Sequence, residues 1–191
     1  MTAEDHKLRT ARSYKLILLF AMVSMTMMFA GLTSAYVVSQ SRADWLKNFE
    51  LPSAFFASTM AILGCSVTFH LAKKAIQKDE ISKTTTFLLA TLALGIAFVV
   101  LQFVGFGQIV ANGYYFTGSA STITTTFLYL VVVVHLLHLA GGMISLLVII
   151  YNHFKQKYNS TQTLGIELGA MYWHFLDFLW LYLFLFLYFF K

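Results

Sequence analysis

Five apolar stretches, each long enough to cross a bilayer, make up most of this 191-residue chain. They run approximately over 16–38, 53–72, 86–110, 125–151 and 168–190, and a transmembrane helix needs roughly 20 residues. Inside hydrocarbon no water is available to backbone amides and carbonyls, so each stretch must satisfy its own hydrogen bonds as a helix. The expectation is an all-α polytopic membrane protein, a single domain over 1–191 built as a bundle of five transmembrane helices. Charge is too sparse for a soluble surface: 11% of residues are Asp, Glu, Lys or Arg, while 59% are hydrophobic. The first stretch exceeds the ~7–15 residues of a signal-peptide core and reads as a retained helix. Pro52, the only proline, opens the second stretch, where a missing amide hydrogen does no harm.

A net charge of +5 would suggest nucleic acid in a soluble protein. Here the basic residues sit in short segments beside the spans, so no nucleic-acid partner is expected and the charges are read as topology. Ten fall on one side, from Lys7 to Lys15, Lys73 to Lys83, and at Lys155 and Lys157; three, Arg42, Lys47 and Lys191, fall on the other. Basic loops stay in the cytoplasm, which predicts the N-terminus inside and the C-terminus outside.

Ionisable residues at membrane depth cost about 2.5–3.5 kcal/mol each on insertion scales and so face protein. The last stretch carries Glu167, Trp173, His174, Asp177 and Trp180. His174 and Asp177 are three apart and share a helix face, so His174 is the expected partner of Asp177. In the fourth stretch His135 and His138 are likewise three apart, followed by Gly141 and Gly142, which would let a neighbouring helix approach closely. Both pairs read as hydrogen-bonding contacts between helices. The alternative is haem ligation, by the fourth-stretch pair or by His70 with His174, in a haem b-carrying membrane anchor. Met22, Met25, Met27 and Met28 point in several directions around a helix, which suits packing better than copper binding. No lysine lies within a span, and no HExxH, CxxC or phosphate-loop pattern occurs.

The run Gly165-Ile-Glu-Leu-Gly-Ala-Met-Tyr-Trp-His-Phe-Leu-Asp-Phe-Leu-Trp180, with His135-Leu-Leu-His-Leu-Ala-Gly-Gly142 one helix earlier, resembles subunit III of haem–copper oxidases. That family's pattern is G-x-E-x-x-x-x-Y-W-H-F-V-D-x-x-W after H-x-x-H-x-x-x-G. The clear match covers roughly 119–191, with weaker likeness at Leu101-Gln102 and near Gly31. The resemblance implies a short five-helix form lacking the two N-terminal helices of the seven-helix subunit. It implies no catalytic, cofactor or metal site in this chain, with haem and copper held by the partner subunit I beside subunit II. It further implies bound phospholipid, support of proton uptake and sustained turnover, a bacterial inner membrane, and a place open to it in a respiratory supercomplex. His135, His138, Glu167, Trp173, His174, Asp177 and Trp180 would form the family's structural and lipid-facing motif. The chain departs from the family where Ser24 and Met25, and again Gly105, stand at positions that often carry acids.

Overall fold

The computed structural model describes residues 3–46, 51–118 and 121–190. Five long helices follow one another: α1 (Ala3–Val38), α2 (Ser53–Gln77), α3 (Ile81–Ala111), α4 (Ile123–Phe154) and α5 (Leu164–Phe189). All five are long and apolar enough to cross a membrane, and a short 3-10 turn, Ser39–Ser41, follows α1. Lys47 and Lys191, two of the three basic residues expected on the outer side, lie outside the described residues.

The helices run past the apolar stretches, most of all α1, whose 36 residues span about 54 Å against a hydrocarbon core of about 30 Å. Apolarity marks only the part in lipid, whereas helical hydrogen bonding continues wherever residues favour it. The first turns of α1 are rich in Ala, Leu, Lys and Arg, all good helix formers. Thr10 and Ser13 donate to the carbonyls of His6 and Arg9 four residues back, so their hydroxyls do not compete with the helix.

Each element stops for a local reason. Thr122 caps α4 by accepting from the Thr125 amide, while the Thr125 hydroxyl accepts from the Thr122 amide, a reciprocal capping box. α2 and α4 both end with a residue in the left-handed conformation, Asp79 at φ 57 and Gln156 at φ 53. The Asp79 amide donates to Ile76 O and the Glu80 amide to Ala75 O; the Gln156 and Lys157 amides repeat the pattern on His153 O and Asn152 O. Those are Schellman closures, made here without the usual glycine. The Asp79 carboxylate then accepts from the Ser160 amide at 2.7 Å and ties the two turns together.

α5 packs against α1, α2 and α4, and α3 closes on α2 and α4, with α2 and α3 the most extensively packed pair. Trp173, Trp180, Phe55, Phe69 and Phe98 are fully buried along the interior. α1 lies at the edge of the bundle, with Ile17, Phe20 and Met27 exposed. Its methionines do diverge: Met22 is buried, Met25 half-buried, and Met27 and Met28 exposed.

Candidate functional site

Glu167 sits in the first turn of α5, where the free amides favour a carboxylate. One carboxylate oxygen meets Lys15 Nζ of α1 at 2.6 Å and the other accepts from the Thr163 hydroxyl at 2.7 Å. Glu167 therefore fastens α1 to α5.

His174 turns to α2. Its Nδ1 lies 2.7 Å from Ser66 Oγ, and its ring centroid is 6.2 Å from that of His70. Asp177 is buried at 3% exposure and neither carboxyl oxygen has a hydrogen-bond partner among the described residues. Ser66 faces it without reaching hydrogen-bond geometry. The His174–Asp177 pair expected from the helical spacing is thus replaced by a His174–Ser66 bond between helices. Sharing a helix face makes a contact available, but the hydroxyl on α2 lies closer to the ring nitrogen.

The α4 histidines also differ from expectation. His138 Nδ1 bonds its own helix at Val134 O, 2.7 Å away, and its ring lies edge-on to Phe29 at 5.7 Å. His135 is fully buried among Phe29, Phe98 and Trp180, and neither ring nitrogen has a partner among the described residues. Among the described residues neither histidine makes the side-chain bond to another helix that the sequence suggested. The link between α4 and α5 comes instead from the Tyr172 hydroxyl, which donates to His138 O at 3.0 Å. Gly142 does allow the close approach: a Cβ there would stand 2.8 Å from Leu176 Cδ1 of α5.

Trp173 packs edge-on to Phe69 of α2, and its ring lies against Gly95 of α3. Trp180 donates from Nε1 to Thr59 Oγ1 at 3.0 Å and packs against Phe55, Phe98 and His135. The nearby Gln102 Nε2 donates to Ser58 Oγ at 2.9 Å, buried between α3 and α2. Sequence reasoning did not single out Ser58, Thr59 and Ser66. Thr59 and Ser66, seven residues apart on one stripe of an apolar helix with Ser58 adjacent, carry the small-polar signature of a packed interface, which would have found them.

The seven motif residues therefore do not surround one opening. His135, Trp173, Asp177 and Trp180 are buried in packing, while His138, Glu167 and His174 are half-buried. Among the described residues no group of three or more His, Cys, Asp and Glu side chains converges. The contacts around His135 and the Ser66 bond to His174 do not favour either histidine pair as haem ligands. What the arrangement does is join α5 to each neighbour through specific polar contacts.

A family model described as cytochrome c oxidase subunit III matches residues 2–191. The chain is similar to cytochrome c oxidase subunit 3 of Spodoptera frugiperda, 31% identical over 143 residues, which is 73% of this chain and 89% of that sequence. It is 27% identical to the same subunit of Bacillus sp. (strain PS3) over 163 residues, 83% of this chain and 77% of that one. With the Petromyzon marinus subunit the identity is 31% over 146 residues, 75% of this chain but 51% of that sequence, so the chain spans about half the length of that relative.

Proposed function

Because the chain belongs to the cytochrome c oxidase subunit III family, we propose that it is the non-catalytic subunit III of a respiratory haem–copper terminal oxidase. It binds subunit I, which holds the haems and copper, beside subunit II in a bacterial inner membrane. Its role is to support proton uptake and sustained turnover during oxygen reduction. The observation that carries this reading is the match over essentially the whole chain, at a motif whose residues are used for packing between helices. The N-terminal segment and the α2–α3 and α4–α5 turns are held at one end of the bundle by the Lys15–Glu167 and Asp79–Ser160 contacts. Ten of the thirteen basic residues belong to that end, and we assign it to the cytoplasm.

Phospholipid belongs to the same proposal. An apolar groove of about 470 Å³ lies between α1, α4 and α5, lined by Ile17, Leu18, Ala21, Val148, Leu168 and Tyr172. It adjoins a polar recess bearing Lys15, Lys157, Thr163 and Glu167. An acyl chain fits the first and a headgroup phosphate the second, with Lys157 as its cation.

The physical role follows from cover. A bundle of lipid and helix on one flank of subunit I sets the solvation, and so the protonation, of groups near a proton entrance. Removing this chain from the oxidase should leave the haem and copper spectra intact and preserve part of the initial turnover. Activity should then decline faster during sustained turnover or at raised pH. Loss of a haem band from the complex, or stoichiometric haem on the isolated chain, would overturn the proposal.

A further inference from the structure

Three apolar stretches end at one level of the membrane, and the charged residues that flank them meet there. Lys15 directly precedes the stretch starting at 16, Glu167 precedes the one starting at 168, and Lys73 follows the one ending at 72. Lys15 Nζ holds one oxygen of Glu167 at 2.6 Å and the Thr163 hydroxyl holds the other at 2.7 Å. Lys73 is half-buried and near enough to act on the same carboxylate. Lys157, exposed in the α4–α5 turn, faces the polar recess of about 940 Å³ beside them, where Glu167 is the only acid among the described lining residues. Three lysines around one carboxylate leave positive charge in excess.

This recess and the apolar groove below it are continuous. Tyr158 and Gly165 line both. Tyr158 is half-buried while its neighbours from Lys155 to Gln162 are exposed. Its ring lies over the start of α5, where a Cβ at 165 would stand 2.9 Å from Cε1 and Cζ. The opposite wall is the N-terminal extension of α1, at Leu8 and Ala11. A molecule with an apolar tail and a polar head therefore has its junction held at Tyr158 and its head between that extension and the α4–α5 turn.

We infer that the recess selects an anionic phospholipid whose headgroup carries no amine, of the phosphatidylglycerol class, over zwitterionic phosphatidylethanolamine. The inference rests on the phospholipid reading of the groove. A phosphate supplies the negative charge that the lysines leave uncompensated. An ammonium group would enter a region already in positive excess, and the one carboxylate there has both oxygens engaged. Headgroup hydroxyls meet no such repulsion and find Thr161, Gln162 and Thr163 to bond.

The test uses the purified oxidase with a benzoylphenylalanine photoprobe replacing Tyr158. It is equilibrated in detergent with equal amounts of phosphatidylglycerol and phosphatidylethanolamine of the same acyl chains. Mass spectrometry of the adducts should show phosphatidylglycerol captured about fivefold more often, the effect of one lysine near an anionic headgroup. Native mass spectrometry without the probe should show the same preference. Lys157→Gln, at an exposed position, should remove most of it, while Arg42→Gln, at the other end of the bundle, should leave it unchanged. Equal capture of both lipids, or Lys157→Gln behaving as wild type, overturns the inference and leaves the functional reading standing. Protection of the probe by inorganic phosphate without any lipid adduct assigns the recess to a free anion and overturns it too. Absence of any adduct in an intact oxidase overturns the lipid reading, and a wild-type chain that does not co-purify with a haem–copper subunit overturns the functional one.

Discussion

The hydrogen bond between His174 Nδ1 and Ser66 Oγ, 2.7 Å long, crosses from α5 to α2 at a depth where alternatives are scarce. Removing either group leaves the other without a partner, so the two losses overlap. Ser66→Ala and His174→Ala should therefore couple by about 0.5–1.5 kcal/mol in a double-mutant cycle read by unfolding in detergent micelles. His174→Ala and Asp177→Asn, neighbours on one helix face that share no direct hydrogen bond, should couple less than that pair. Strong coupling of the second pair with none in the first would reverse the assignment of partners. A second residue-scale case lies outside the membrane, at Asp79. Hydrogen bonds from Ser160 hold its carboxyl below the usual carboxylate range. Its folded-state value thus lies below its unfolded one, and the tie contributes fully above the unfolded value, about 3.9. That contribution fades as pH falls through the lower folded-state value. Asp79→Asn keeps the left-handed turn and an acceptor but not the charge. Amide exchange around 156–161 should be faster in this variant than in wild type at about pH 7, and the two should converge once both side chains are neutral. A difference that persists unchanged in acid would mean the charge is not what matters.

Among the elements, the α2–α3 pair shows why one departure from the family pattern is tolerated. Gly105 faces the Phe55 ring so closely that a Cβ would collide with its edge. That ring is itself held between Phe106, at 6.3 Å, and Trp180, at 6.0 Å. The space an acid would take at 105 is filled by an aromatic side chain, and no polar role is lost because none could be seated. Gly105→Ala should destabilise the bundle by about 1–3 kcal/mol, the usual cost of overpacking. Gly107→Ala, two residues on with nothing within 4 Å, should be neutral or slightly stabilising. Thermal unfolding of the two variants side by side decides it, and equal effects would show that Phe55 yields freely. The edge helix α1 follows a different logic, joined to α5 by Lys15–Glu167 at 2.6 Å and by Thr33–Tyr182 at 2.9 Å. Phe29 packs on both α4 histidine rings between those points, so α1 is held by few contacts, each specific.

At the scale of the whole molecule, the proposed topology with five spans would put the segments before α1 and after α5 on opposite sides of the membrane. Ser41 follows α1 at one end of the bundle, and Gln156 follows α4 at the other. Single cysteines at these positions, in a Cys65→Ser background, should react with an impermeant thiol reagent from opposite sides, Ser41 from outside. Labelling from the same side would defeat the five-span arrangement, and opposite labelling with Gln156 outside would reverse the assigned orientation.

Apolar runs of membrane-spanning length are a local property, and the requirement that each satisfy its own backbone makes helix number and order legible from residues alone. The segregation of Lys and Arg between alternate loops is legible for the same reason, and so is the small-residue site at Gly142. Partner choice is not local. Helical spacing placed Asp177 beside His174, but the rotation of α5 against α2 brought Ser66 closer and left Asp177 buried without a bond. The same spacing offered His135 and His138 together as donors to another helix, whereas packing enclosed the first among Phe29, Phe98 and Trp180 and returned the second to Val134 O. The polar start of α1 was invisible to a search for apolar runs because helix formation outside lipid depends on propensity and hydrogen bonding, not on apolarity. Sequence by itself determined which segments cross the membrane, because burial in lipid acts on each segment separately. Only the tertiary structure decided which polar side chains meet, because a hydrogen bond depends on the crossing and rotation of two helices to within about half an ångström.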